Sequence, residues 1–177
     1  SLRYGAGLIQ ESWPFLVSAF SVLIYMKSDL LMVGILVGNE SAGFYEIAVR
    51  VCSIGYFIPT VLVTTFYPMI SKKRRDIDCY YKRLENLFSL LALLGILNIL
   101  ALLLFGPFLV DLIFGEAFSE ARTVIVVYSL STIFVFMGHE QAIWNVNEGM
   151  QKNAMLRHFS GALLNLLLNL LFIPRFG

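Results

Sequence analysis

Charged side chains are scarce in this sequence. Asp, Glu, Lys and Arg account for 14% of the 177 residues and hydrophobic residues for 58%, whereas a soluble domain carries roughly 25% charged and about 45–50% apolar residues. A soluble fold of this size cannot bury so much apolar surface, but the hydrocarbon core of a bilayer accommodates it. The scarcity of charge therefore excludes an ordinary soluble domain and predicts an integral membrane protein.

Cysteines and catalytic motifs are equally sparse. Cys52 lies in an apolar segment and Cys79 in a basic one, so neither a disulfide nor a metal site is predicted. The sequence contains no phosphate-binding glycine loop and no recognisable catalytic triad, so we predict neither an enzyme nor a cofactor. A net charge of +1 gives no indication of a nucleic-acid partner, and none is expected.

Five apolar stretches are long enough to cross the roughly 30 Å of hydrocarbon, for which about 20 residues suffice. The predicted membrane helices run over 13–37, 44–70, 84–105, 123–146 and 155–173. We therefore predict an all-α, multi-helix transmembrane bundle. The third helix is rich in Leu and is expected to be a peripheral, lipid-facing or packing helix. Pro59 and Pro68 predict a kink in the second helix.

The uneven distribution of Lys and Arg between the predicted loops indicates an orientation. The second loop contains Lys72, Lys73, Arg74, Arg75, Lys82 and Arg83, the fourth contains Lys152 and Arg157, and the N-terminal flank contains Arg3. These three regions alternate correctly for one side of the membrane. The loops of the other side contain Glu40, Asp111, Glu116 and Glu120, with Arg122 alone to balance them. The N-terminus is therefore predicted to be cytoplasmic.

Two charges lie near the middle of the first predicted helix, where each costs roughly 3 kcal/mol or more and needs a reason. At about 100° per residue, Tyr25 shares a polar face with Asp29, whereas Lys27 falls nearly opposite Asp29. One of the two charges is expected to line a cavity and the other to meet a neighbouring helix. The alternative is that Lys27 snorkels to the membrane surface or makes a structural pair.

The second predicted helix carries a longer polar stripe. Its members recur every three or four residues and are Glu46, Arg50, Ser53, Phe57, Thr60, Thr64 and Tyr67. Glu46 and Arg50 are four apart and can pair along the helix. A polar stripe has no favourable contact with lipid, so we expect it to face water or substrate. Helix packing through hydroxyl groups is the alternative.

Two later helices carry polar residues whose role the sequence leaves open. His139 and Glu140 are neighbours that could handle protons, although the favoured interpretation is that they solvate a helix end at the membrane border. Asn165 and Asn169 lie four apart on one helical face, where amides usually bind a neighbouring helix.

Short motifs follow one another along most of the chain. They include Trp13-Pro14-Phe15-Leu16, Tyr25-Met26-Lys27-Ser28-Asp29, Gly43-Phe44-Tyr45, Ala48-Val49-Arg50, Tyr56-Phe57-Ile58-Pro59-Thr60, Phe66-Tyr67-Pro68, Phe114-Gly115-Glu116-Ala117-Phe118, Asn165, Asn169 and Ile173-Pro174. In their order and spacing, these motifs resemble bacterial polysaccharide flippases of the O-antigen type, from the superfamily of the multidrug and toxin extrusion (MATE) exporters. Lys27 departs from the resemblance, because it stands where the family usually has Arg.

The resemblance implies a fold and a function. Such flippases have about a dozen helices in two related halves around a central cavity, and residues 1–177 resemble part of the C-terminal half. They move undecaprenyl-pyrophosphate-linked oligosaccharides to the outer leaflet of the bacterial inner membrane during surface polysaccharide biosynthesis. The resemblance implies that Lys27 and Arg50 hold the anionic headgroup, while Asp29 and Glu46 balance them or couple to protons or sodium. Further candidate cavity residues are Tyr25, Thr60 and His139.

Other functions are compatible with the same features. If the chain is part of a flippase, its expected partners are the glycan lipid, membrane lipid and the missing half of the transporter. The alternatives are a drug/cation antiporter of the same fold, a flippase for the peptidoglycan lipid precursor, and a non-functional fragment of a flippase. A membrane-embedded glycosyltransferase or ligase would normally need a sizeable catalytic loop, and no such loop is predicted.

The predicted orientation can be tested by thiol labelling. Single cysteines would be introduced over 71–83 and 111–122 in a background lacking Cys52 and Cys79. In intact cells, an impermeant thiol reagent should label the 111–122 positions and leave the 71–83 positions unlabelled, because only the former are predicted to face outward. Labelling over 71–83 in intact cells would reverse the orientation.

Overall fold

The computed structural model describes the backbone of residues 2–176 and the side chains of residues 12–142 and 144–175. Over residues 2–176 the chain forms helices and short turns and no strand, which confirms the predicted all-α fold. The helices are α1 (Leu2–Leu36), α2 (Asn39–Ser53), α3 (Phe57–Ser71), α4 (Ile77–Phe114), α5 (Ala121–Ser129), α6 (Thr132–Asn147) and α7 (Gln151–Phe176), with 3₁₀ turns at Ile54–Tyr56 and Glu116–Phe118. The side chain of Arg3, which entered the orientation prediction, lies outside the described residues.

Four stretches of the described chain are long and apolar enough to cross a membrane. They are Ser12–Leu36, Asn39–Ser71, Ile77–Phe114 and Gln151–Arg175. A fifth span results if α5 and α6, which are bent by 42° relative to each other, are counted together. The chain is therefore an all-α membrane protein with four or five candidate spans, close to the five predicted.

The helices extend well beyond the apolar stretches from which they were predicted. α4 has 38 residues, a length of about 57 Å, compared with roughly 30 Å of hydrocarbon. The predicted loop over 71–83 consequently narrows to residues 72–76. Lys152 and Arg157, also predicted in a loop, are part of α7. A helix satisfies its own backbone hydrogen bonds in water as well as in lipid, so it does not have to end at the membrane surface.

Local capping sets both ends of α4. At its start, the side chain of Asp76 accepts a hydrogen bond from the backbone N–H of Cys79 at 3.2 Å, which satisfies one of the donors that a helix N-terminus leaves unpaired. At its end, Gly115 has a φ of +82°, a conformation that residues with a Cβ atom rarely adopt. The ends of this helix are therefore determined by individual residues and not by hydropathy.

The second span is interrupted near Pro59, where a kink was predicted. The 3₁₀ turn Ile54–Tyr56 separates α2 from α3, and Pro59 follows this turn within the first residues of α3. Proline has no N–H to donate to the carbonyl of Gly55, and its ring crowds that carbonyl. Regular helical hydrogen bonding therefore cannot continue through this point. Pro68 lies inside α3, close to its end.

The chain divides into two compact units, which are described separately. The first unit comprises residues 1–42 and 148–177, and in it α1 packs along α7. In the second unit, residues 43–147, α4 contacts α3, α5 and α6. The Leu-rich helix predicted over 84–105 is thus the central packing helix of its unit. Of the alternatives expected for it, packing is observed, and its exposed side chains, such as Leu97 and Leu104, leave the lipid-facing alternative open.

Two apolar clusters lie along α4 in the second unit. The first cluster gathers α2, α4 and α5 and consists of Ile47, Ala48, Val51, Cys52, Leu102, Val110, Ala121 and Ile125. The second joins the end of α3 to the first half of α4 and consists of Ile70, Tyr80, Leu84, Leu87 and Leu91. Lipid is as apolar as Leu, so these contacts stabilise the unit mainly through van der Waals packing.

Gly106 of α4 marks a close approach to α5. A Cβ atom at Gly106 would lie 2.7 Å from Cγ2 of Ile125, which is fully buried and stiff because it is β-branched. We expect Gly106→Ala to lower the melting temperature of the detergent-solubilised chain, at a cost of about 1–3 kcal/mol. The control is Gly138→Ala on α6, where nothing lies within 4 Å of the added atom, and it should be neutral or slightly stabilising. Equal melting temperatures for the two variants would contradict this packing.

Candidate functional site

Polar side chains join α1 to α7 in the first unit. Oδ1 of Asp29 accepts hydrogen bonds from Nδ2 of Asn169 at 2.6 Å and from Nδ2 of Asn165 at 2.9 Å. The hydroxyl of Ser28 donates to Oδ1 of Asn165 at 2.9 Å. The prediction that the two amides bind a neighbouring helix is confirmed. Of the charges Lys27 and Asp29, Asp29 is the one that meets that helix.

Lys27 has a different environment from Asp29, although only one residue separates them. Its side chain is exposed, and among the described residues it makes no polar contact. Tyr25 is 37% exposed, and its carbonyl oxygen lies 3.4 Å from Oγ of Ser28. An ammonium group in the middle of a span costs free energy when it faces lipid. This cost favours a position for Lys27 in a cavity, which stays a prediction.

The cluster around Asp29 has the donor set for a small hard cation. Carboxylate, amide and hydroxyl oxygens are the ligands such cations prefer, and Asp29, the two Asn residues and Ser28 supply all three types. Each amide can present either its nitrogen or its oxygen by a 180° turn. With nitrogen toward the carboxylate, as observed, the cluster links two helices, and with oxygen inward it could coordinate a cation.

Glu46 and Arg50 form the ion pair that their spacing on α2 predicts. Nε of Arg50 lies 2.9 Å from Oε1 of Glu46. The Arg50 side chain is nevertheless 69% exposed, compared with 29% for Glu46. Within the described residues only the Nε edge of the guanidinium is engaged, so the two Nη groups keep their donors.

In the second unit, α3 and α6 meet through Thr60 and His139. Oγ1 of Thr60 lies 2.9 Å from the carbonyl oxygen of Tyr56 and 3.2 Å from Nε2 of His139. Nδ1 of His139 lies 2.7 Å from the carbonyl oxygen of Val135. His139 therefore contacts a second helix as well as its own, and its position at the membrane border stays a prediction.

The tautomer of His139 decides how these atoms pair. A carbonyl oxygen can only accept, so in the neutral ring Nδ1 carries the proton that faces Val135. Nε2 is then an acceptor, and the hydroxyl of Thr60 can donate either to Nε2 or to the carbonyl oxygen of Tyr56. The contact therefore joins α3 to α6 through one hydroxyl group.

The other members of the predicted stripe are partly exposed in the second unit. Arg50, Phe57 and Thr64 are exposed, and the hydroxyl of Thr64 donates only to carbonyl oxygens of its own helix. The packing interpretation applies to Thr60, whose hydroxyl contacts another helix. That the exposed members of the stripe, Arg50 among them, face water or substrate stays a prediction.

Two polar contacts of the second unit were not predicted from the sequence. Nδ2 of Asn98 on α4 donates to Oγ1 of Thr132 at 3.1 Å, and the hydroxyl of Ser71 donates to Oδ1 of Asn147 at 3.0 Å. These contacts tie α6 to α4 and to α3. The partners are distant in sequence and so leave no spacing signal. The one available signal was the position of an amide, Asn98, within a Leu-rich run.

Comparison with known proteins adds one family. The sequence model of a family described as polysaccharide biosynthesis protein matches residues 1–123, which is more than half of the 177 residues. No curated protein and no solved structure matches the chain. The matched part contains the charged residues of α1 and α2 and ends before His139 and the two amides of α7.

Proposed function

Because the chain belongs to the polysaccharide biosynthesis protein family, we propose that it takes part in flipping a lipid-linked oligosaccharide across the membrane. The proposed substrate is an undecaprenyl-pyrophosphate-linked oligosaccharide of the O-antigen type. It moves from the cytoplasmic to the outer leaflet of the bacterial inner membrane, in which the N-terminus of the chain is cytoplasmic. The contribution of the chain is transport and not catalysis.

The observation that supports this proposal most strongly is the exposure of Arg50 inside a candidate span. A charged side chain facing hydrocarbon costs about 2.5–3.5 kcal/mol or more at the helix centre, and the Arg50 side chain is 69% exposed. Its ion pair with Glu46 offsets part of this cost but leaves most of the guanidinium uncovered. The face of α2 that carries Arg50 therefore needs a polar environment, either water or an anionic ligand.

The free edge of Arg50 suits a pyrophosphate group. Glu46 engages Nε, which leaves the two Nη groups as a planar pair of donors. Such a pair bonds two anionic oxygens at once, a geometry that the single ammonium group of Lys cannot reproduce. Glu46 would hold the guanidinium in place and moderate its charge, so that the headgroup is bound and also released.

We further propose that a second polar surface closes the cavity around Arg50. That surface is supplied either by other helices of the transporter or by another copy of this chain. The hydroxyl of Thr64 is exposed but already donates to carbonyl oxygens of α3, so it does not need this surface. The charge of Arg50 does, because neither lipid nor a purely apolar partner would satisfy it.

Asp29 is proposed as the site where a coupling ion, proton or sodium, acts on the transporter. Its two bonded amides belong to α7, so a cation at Asp29 would compete with the hydrogen bonds between α1 and α7. Binding of the ion would thereby change how firmly the two helices are held together. This supplies a physical link between an ion gradient and a helix movement.

The Arg50 proposal can be tested at the chromosomal locus of the host bacterium. Arg50→Ala should reduce surface polysaccharide by about tenfold or more, since removing a charge-assisted hydrogen-bond donor costs roughly 1.5–3 kcal/mol. Arg50→Lys should keep part of the activity, because the charge remains and the fork is lost. Membrane abundance, measured by immunoblot, should be unchanged, and exposed Lys73→Ala is the control.

Near-normal polysaccharide in a Glu46→Gln, Arg50→Gln double variant would show that the pair is only structural. Loss of drug resistance with intact polysaccharide would indicate an antiporter.

The coupling proposal can be tested in the same cells. Asp29→Asn removes the charge but keeps a side chain of the same shape, so its export should no longer respond to the sodium or proton gradient. Export by the unmodified protein should fall when the relevant gradient is collapsed with an ionophore. Asp78→Asn, an exposed carboxylate at the start of α4, should behave like the unmodified protein. An unchanged gradient response in Asp29→Asn would refute the coupling role and leave the Arg50 proposal standing.

A further inference from the structure

A groove of about 310 Å³ lies between α3 and the first half of α4 in the second unit. Its lining is mostly apolar. Phe66 and Met69 contribute from α3 and Leu90 from α4, and the residues Met69 and Leu90 are 50% and 37% exposed. The groove is thus accessible from outside the unit, and its apolar lining suits a hydrocarbon chain.

Two polar residues line the same groove, Arg83 and Asn86 of α4. Leu90 lies seven positions after Arg83, about 10 Å along the helix. Arg83 therefore marks the end of the groove next to the turn over 72–76, and Leu90 marks the opposite end. The groove is consequently amphipathic along its length, polar near the turn and apolar farther along α4.

In the part of the chain that the structure describes, Arg83 has one polar contact, which leaves most of its N–H donors unbonded. Its Nη1 atom lies 3.4 Å from the carbonyl oxygen of Met69, one of the carbonyls that the C-terminus of α3 leaves available. Within the described residues this is its one polar contact, and a guanidinium carries five N–H donors. The remaining donors are available to an anion at this end of the groove.

The surrounding segment is strongly basic. Residues 72–85 contain six basic and three acidic side chains, a net charge of +3. Clusters of Lys and Arg at the end of a membrane helix attract anionic lipid headgroups, at about 1 kcal/mol for each residue near the surface. The basic end of the groove complements a negatively charged headgroup, and its apolar part complements a long hydrocarbon tail.

We propose that this groove is a binding site for one anionic diacyl phospholipid. The phosphate bonds to Arg83 and Asn86 beside the basic turn, and one acyl chain lies along Phe66, Met69 and Leu90. Free phosphate would use only the polar end, and a zwitterionic lipid would gain little from the basic segment. The proposal does not rest on the transported substrate, because it needs only a membrane that contains anionic lipid.

Lipid binding can be measured by native mass spectrometry of the detergent-solubilised chain. Dioleoylphosphatidylglycerol and dioleoylphosphatidylcholine have identical acyl chains and differ in headgroup charge, so they are the two probes. The unmodified chain should bind the phosphatidylglycerol severalfold more tightly. Arg83→Gln should weaken that binding by about tenfold, and Leu90→Trp, which fills the groove without changing charge, should weaken the binding of both lipids.

Matched controls distinguish the groove from the general charge of the segment. Lys82→Gln removes a neighbouring exposed charge, and Leu93→Trp enlarges an exposed Leu of α4; neither residue lines the groove. Lys82→Gln should weaken binding by no more than about fivefold, the loss expected from one surface charge. Leu93→Trp changes neither the charge nor the groove and should bind both lipids like the unmodified chain. Equal binding of the two lipids, or equal losses in Arg83→Gln and Lys82→Gln, would overturn the proposal. Arg83→Gln alters a half-buried polar side chain whose one polar contact among the described residues is with a backbone carbonyl oxygen, so this comparison remains decisive if Leu90→Trp fails to fold.

Discussion

A polar group inside a bilayer has no water to bond to, and leaving it unsatisfied costs several kcal/mol. In this chain the constraint is met by pairing polar side chains of different helices. Asp29 bonds two amides of α7, Asn98 bonds Thr132, and Thr60 meets His139. Each contact contributes roughly 0.6–2 kcal/mol, but its greater effect is on register, because sliding one helix past another would break it.

Arg50 and Lys27 are two charged residues that are not satisfied in this way by the described part of the chain. Arg50 is largely exposed although it carries a charge in a candidate span, and Lys27 is exposed in the middle of another. Neither charge can be explained by packing within its own unit. A polar surface or ligand beyond the described helices would satisfy them, and the proposed anionic lipid-linked sugar would have the complementary charge. The family assignment and the cost of exposing charge thus point in the same direction.

α4 shows how packing in lipid differs from packing in water. Its Leu side chains gain little from leaving lipid, so contact with other helices depends on how closely the surfaces fit. Gly106 allows Ile125 of α5 to approach, and Gly95 lies against Ile133 of α6. A helix with an unremarkable Leu-rich sequence is central to its unit because small residues are placed where neighbours cross.

Patterns within one helix determined much of this protein. The apolar stretches predict an all-α membrane chain with about five spans, the four-residue spacing of Glu46 and Arg50 predicts their ion pair, and Pro59 predicts the interruption before α3. Each depends on atoms only a few residues apart. The helix ends were predicted poorly, since hydropathy reports the hydrocarbon boundary while caps such as Asp76 and Gly115 set where a helix starts and stops.

Only the tertiary structure decided which polar residues meet. Asp29 and Asn169 are 140 residues apart in the chain, and Thr60 and His139 are 79 apart, so no local period relates them. The groove beside Arg83 likewise exists because α4 turns back along α3 after residues 72–76. The sequence shows that these side chains need partners, because charge and amide groups are costly in lipid. Which partner each one has depends on which helices pack together, and the side chains along a single helix do not contain that information.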